Sequence, residues 1–140
     1  MPAAHTIDIS KFLAAGNDIN RFKTTQVVSV TGYITLVKYG DPETCSCGST
    51  SEDDLDYHIQ LAKNPTATDK QIMICEVTRY NRCITYAELK ALEHKKVTIS
   101  GYLFFDLEHE GNSVNVNPSA TDLWRATAWE IHPCFSVKAD

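Results

Sequence analysis

Apolar positions along this chain change period several times, and each change marks an element. From Gln26 to Lys38 they alternate, setting Val28, Val30, Ile34 and Leu36 on one strand face with Gly32 in the same row. A glycine inside a long strand predicts a bend or bulge, which is how a small barrel turns a corner. Leu55–Leu61 and Gln71–Arg79 alternate in the same way, joined by 62–70 with its Asn64-Pro65 and Thr68-Asp69 turn signals. Folding this hairpin about its midpoint sets Tyr57 against Val77, Ile59 against Cys75 and Leu61 against Met73. The other face then pairs Asp56 with Thr78, His58 with Glu76 and Gln60 with Ile74. One face is apolar and the other mainly polar, and a slip of one residue would destroy that sorting.

A fourth strand is predicted over Val97–Asp106, with Val97, Ile99, Gly101, Leu103 and Phe105 on one face. A fifth runs from Leu123 to about His132, where Pro133 stops it. Helical spacing occurs twice. Ile9, Phe12 and Leu13 lie within 8–20, with Asp8 or Ser10 to cap the start and Gly16-Asn17 to end it, a helix suited to plugging a barrel end. Thr85-Tyr86-Ala87-Glu88 is a capping box that opens a second helix through Leu89 and Leu92 to about His94.

The core order is therefore β-β-β-α-β-β, with long loops at 39–54 and 107–122. That is the order of a five-stranded OB-fold-like barrel with a short N-terminal helix. An SH3-like barrel is the rival, but a capped helix between its third and fourth strands is rare. The expected organisation is one OB-like domain over 1–140: a helical extension at 1–24, the barrel at 25–133 and a tail at 134–140.

Composition narrows the picture. With 140 residues, 43% of them apolar, the chain can bury one real core. A net charge of −5 argues against a partner held mainly by phosphate neutralisation. No apolar run approaches the roughly 20 residues of a membrane-spanning helix, and the start lacks a basic, apolar secretory leader. The expectation is a soluble, cytoplasmic chain with no membrane partner. Five cysteines cannot all pair within one chain. Cys75, among apolar neighbours, reads as a buried free thiol, and Cys45 and Cys47 as loop thiols with metal capacity.

The segment Trp124-Arg125-Ala126-Thr127-Ala128-Trp129-Glu130-Ile131-His132-Pro133 is the most distinctive stretch. Together with Val30-Thr31-Gly32-Tyr33, Asp56-Tyr57-His58-Ile59 and Ser100-Gly101-Tyr102-Leu103-Phe104-Phe105-Asp106, it resembles a set of small bacterial OB-like proteins with no established activity. The resemblance spans about Thr25 to Pro133 and implies the fold, not the chemistry.

Two constellations bear chemistry. His58 and Glu76 are cross-strand neighbours in the hairpin register. Glu130 and His132 alternate with Trp129 and Ile131, so if those fill the core, both polar groups point outward. His58, Glu76, Glu130 and His132 are the candidate divalent-metal ligands, with His109 nearby in the loop after the fourth strand. The competing reading is a set of exposed, mutually paired side chains that keep a strand face soluble. The second constellation is a strip of rings and cations, from which Tyr33, Arg79, Phe104, Trp124 and Arg125 are the candidate binding residues. Core or rim packing would use many of the same rings.

G-x-S-x-G, H-E-x-x-H and P-loop motifs are all absent from the sequence. The leading expectation is thus a non-catalytic binding or accessory domain that needs no cofactor. Its ligand is a protein, an oligosaccharide or a single-stranded nucleic acid. The alternative is a metal-dependent hydrolase acting on phosphodiesters, such as a nuclease.

Overall fold

The computed structural model describes residues 3–40 and 51–140. In chain order the elements are β1 (His5–Thr6), α1 (Ser10–Leu13), β2 (Val27–Tyr39), β3 (Tyr57–Ala62), β4 (Met73–Val77), α2 (Tyr86–Lys90), β5 (Lys96–Phe105) and β6 (Trp129–Ala139). The sheet runs β2-β3-β4-β6-β5, and β5 pairs back onto β2, closing a five-stranded barrel. β1 is an extra strand lying parallel to the start of β2. β4 and β6 are parallel and the other barrel pairs antiparallel. Closure in this order is consistent with an OB-like barrel and leaves few open strand edges. Among the described residues no helix is long and apolar enough to cross a membrane.

The core forms where alternation turns apolar side chains inward. Val28, Val30 and Ile34 of β2, Ile59 and Leu61 of β3, Met73, Cys75 and Val77 of β4, Val97, Ile99 and Leu103 of β5, and Trp129 and Ile131 of β6 make one cluster. Each fully buried large aliphatic or aromatic side chain contributes about 1.5–3 kcal/mol relative to exposure. Phe12 from α1 and Leu89 from α2 are also fully buried in this cluster. The β3–β4 register is the one the sequence predicts, from Tyr57 opposite Val77 to Leu61 opposite Met73. The capping box of α2 is present, with Thr85 Oγ1 accepting from the Glu88 N–H at 3.1 Å. Cys75, Cys83 and Cys134 are free thiols, and Cys75 is buried. Cys45 and Cys47 lie outside the described residues.

Four expectations need correction. In β2 the register shifts between Ile34 and Leu36, so Val37 takes the inward place and Leu36 turns outward. The irregularity sits beside Thr35, not at Gly32, whose smallness serves close packing instead: a Cβ there would stand 2.8 Å from the Ala62 carbonyl oxygen. The N-terminal helix is only four residues, Ser10–Leu13, and ends before the Gly16-Asn17 stop that the sequence predicts. Arg21 donates to the carbonyls of Lys11, Ala14 and Gly16, holding the remainder as an irregular wrap. The second helix ends at Lys90, and His94 has a positive φ of 68°.

The last correction is the largest. Pro133 does not stop the final strand, which begins at Trp129 and continues to Ala139, so most of the expected tail is barrel wall. The proline is tolerated because the β5–β6 ladder is irregular there, with shifts on both sides of Gly101. The His132–Pro133 peptide bond is cis.

Gly101 is the partner of this irregularity. A Cβ on it would lie 2.3 Å from the Pro133 carbonyl oxygen and 2.6 Å from Ile131 Cγ2. Gly101→Ala is therefore expected to destabilise the fold by about 1–3 kcal/mol through overpacking against backbone. Gly111→Ala, where a Cβ meets nothing within 4 Å, serves as the control and is expected to be nearly neutral. Chemical denaturation of both variants measures the difference.

Candidate ligand and metal site

Parallel pairing of β4 with β6 builds the site. Ile74 lies beside Glu130 and Cys75 beside Ile131, so one step further along both strands Glu76 reaches His132. The antiparallel β3–β4 pair sets His58 opposite Glu76. His58, Glu76 and His132 thus form a row across three strands on the outer face of the barrel, and Asp56 enters from the residue before β3. His132 Nδ1 is 2.9 Å from Glu76 Oε2 and 3.1 Å from Glu130 Oε1. Its Nε2 stands 3.8 Å from Asp56 Oδ2, and His58 Nδ1 stands 3.8 Å from Glu76 Oε1.

These groups are not the solvated face that the alternation left open. Glu76 is 7% exposed and Glu130 2%. The reason is the segment after β5, which folds back over the outer face. The Ala126 N–H donates to the Ile72 carbonyl, and Trp124 packs against the outward patch of Ala62, Ile72 and Ile74. A cavity of about 820 Å³ opens between that segment and the sheet, with Phe104, Trp124 and His109 as ring-bearing walls and Glu76, Glu130, His132 and His58 among its lining. Trp124 meets His109 edge to face at 5.2 Å, and Phe104 meets His132 in the same way at 5.6 Å.

Arg125 anchors the arrangement. It is 1% exposed, and its guanidinium donates to Glu130 Oε2 at 2.8 Å, Asp106 Oδ2 at 3.3 Å and the Thr127 carbonyl at 2.7 Å. Glu130 therefore has one oxygen on Arg125 and the other on His132. Asp18 fixes the segment from below. Its Oδ2 accepts from Thr127 Oγ1 at 2.5 Å and Asn115 Nδ2 at 2.9 Å, and its carbonyl accepts from Trp129 Nε1 at 2.6 Å.

The electrostatics follow from crowding charge in a partly dry site. Burial opposes ionisation of Glu76, but hydrogen bonds and charge from His132 and His58 hold its carboxyl well below the usual range. Burial pushes Glu130 up, partly offset by His132 and Arg125. Burial also raises Asp56, and the Glu76 charge adds to it. For His132, burial disfavours the imidazolium, yet Glu130 and Glu76 outweigh it and lift the ring from 6.5 to about 11.

Of the candidate metal ligands, His58, Glu76, Glu130 and His132 do converge. Asp56, Glu76 and His132 can each offer one ligand atom within 4.8 Å of the others. The sequence reading had passed over Asp56, whose only signal was its place two residues before His58. Of the candidate binding residues, Phe104, Trp124 and Arg125 line the cavity. Tyr33 does not: it is half-buried on β2, paired with Ala62 and Lys96. Arg79 lies at a separate, smaller hollow with Tyr57 and Arg82, where it bonds Asp54 at 3.0 Å. Asp18 and Asp106 carried no motif at all.

Two outcomes are expected. Arg125→Leu leaves Glu130 and Asp106 without their buried cation and should cost about 3–5 kcal/mol in denaturation experiments. The second concerns pH. Because His132 binds its proton more tightly folded than unfolded, its contribution is fully present below about pH 6.5 and is lost as pH rises toward about 11. Thermal melts in chelator-treated buffer should therefore show a steeper alkaline loss for the wild type than for His132→Gln.

No protein-family model matches the sequence, and no protein of curated function is similar to it.

Proposed function

We propose that this chain is a ligand-binding domain whose outer-face cavity takes a short oligosaccharide or a similar hydroxyl-rich molecule. One observation carries this reading: carboxylates, one of them fixed by the buried guanidinium of Arg125, converge on an aromatic-walled cavity. The volume, about 820 Å³, falls within the range of small-molecule sites. Carboxylates at fixed positions accept hydrogen bonds from vicinal hydroxyls. The faces of Phe104, 43% exposed, and Trp124 suit the apolar C–H side of a sugar ring.

A nucleic-acid strand fits this chemistry less well. Glu76, Asp106, Glu108 and Glu130 line the cavity and repel phosphate, while Arg125 is already committed to Glu130 and Asp106. The net charge of −5 adds to the repulsion.

Screening neutral and amino-substituted oligosaccharides by calorimetry tests the proposal. At least one class is expected to bind, and Phe104→Ala and Trp124→Ala should each weaken it about tenfold, equivalent to ~1.4 kcal/mol. Tyr33→Ala, away from the cavity, should leave binding unchanged. Tight binding of single-stranded DNA that persists at moderate salt, with no response to any sugar, would overturn it.

A further inference from the structure

We infer that Asp56, Glu76 and His132 form a binding site for one divalent transition-metal ion, with Glu130 positioning the imidazole. The inference does not depend on which molecule enters the cavity. It rests on the spacing of three donor atoms, on how each is oriented, and on a buried ring nitrogen left without a partner.

Spacing comes first. Donors about 2.0–2.2 Å from one ion stand roughly 3 to 4.4 Å from each other, depending on whether they are adjacent or opposed. The ligand atoms of Asp56, Glu76 and His132 all lie within 4.8 Å of one another, and Glu76 Oε2, now 2.9 Å from His132 Nδ1, must turn toward the ion to complete the set. The 3.8 Å between His132 Nε2 and Asp56 Oδ2 is too long for a hydrogen bond and short enough for two ligands of one ion.

Orientation comes next. Asp56 Oδ1 accepts the Arg79 backbone N–H at 3.3 Å, which leaves Oδ2 turned to His132. His132 Nδ1 sits between Glu76 Oε2 at 2.9 Å and Glu130 Oε1 at 3.1 Å, and the other oxygen of Glu130 is held by Arg125 at 2.8 Å. A ligating histidine whose far nitrogen is held by a carboxylate is the usual support of a metal-bound imidazole: it fixes the tautomer and aims the free nitrogen. Glu130 is therefore a positioning residue: it falls outside the group of three whose ligand atoms lie together, and the buried guanidinium of Arg125 holds its second oxygen away from them.

The third observation is His58. Its ring lines the cavity beside Glu76, and its Nε2 is buried with no hydrogen-bond partner among the described residues. A buried polar atom in that state calls for an ordered water or an ion-bound water. Two carboxylates and one imidazole, with room for water, favour Zn²⁺ or Mn²⁺ over Ca²⁺, which takes six to eight oxygens.

The test uses chelator-treated protein carrying Cys45→Ser and Cys47→Ser, which removes a competing thiol pair. Calorimetry with Zn²⁺ and with Mn²⁺ should find one ion per chain. Asp56→Asn, Glu76→Gln and His132→Gln should each weaken binding at least tenfold, whereas Glu108→Gln, on the cavity wall, should not. Glu130→Gln should weaken it less than the ligand changes, because it acts through the ring of His132. Co²⁺ added to the unsubstituted site should give weak visible d–d bands with no sulfur charge-transfer band, a readout that needs no variant to fold. Absence of one-to-one binding by any of the three ions overturns the inference. So does binding that survives both Asp56→Asn and His132→Gln in variants shown by circular dichroism to be folded.

Discussion

A guanidinium taken out of water must find acceptors, and in this protein that requirement organises the outer face of the barrel. Arg125 is 1% exposed and holds Glu130, Asp106 and the Thr127 carbonyl at once. Those partners come from the end of β5, from β6 and from the segment between them. Satisfying one buried charge therefore pins that segment across the sheet. The cavity exists because the segment is pinned, and the carboxylate of Glu130 is aimed at His132 because its other oxygen is committed to Arg125.

The same logic makes the site dense in charge yet stable. Four carboxylates, Asp56, Glu76, Asp106 and Glu130, are gathered with no side chain more than 15% exposed. Arg125 neutralises one end of the group and the imidazolium of His132 the other. The opposed shifts, Glu76 driven down and His132 driven up, are what a closely paired carboxylate and imidazole impose on each other. Asp18 meets the same problem differently: one oxygen of its carboxylate accepts from the neutral donors of Thr127 and Asn115. That contact ties the N-terminal wrap to the roof of the cavity.

How legible the site was depended on how far apart in sequence its parts lie. His58 opposite Glu76 was readable because a hairpin joins the two strands and the polar and apolar residues sort onto opposite faces. Glu130 and His132 were readable as outward residues from their alternation with Trp129 and Ile131. Their meeting with Glu76 was not, since it depends on the parallel pairing of β4 and β6, whose register no local turn dictates. Asp56 was passed over for a related reason: it precedes β3, and only the closed barrel brings it toward His132.

Sequence alone determined the order of the barrel elements, the β3–β4 register, the capped α2 and the identity of most core residues. These rest on short-range rules: the two-residue repeat of a strand, the chemistry of a cap, and the cost of exposing an apolar row. The tertiary structure decided the rest. It turned Val37 inward and Leu36 outward through an irregularity beside Thr35. It carried β6 past Pro133, because the ladder is already broken beside Gly101. It also buried a polar face that alternation marked as outward, since alternation reports which side of a sheet a residue occupies and not what later folds over that side. Arg125 and the segment that carries it supply that cover, and through it a polar strand face becomes the wall of a cavity.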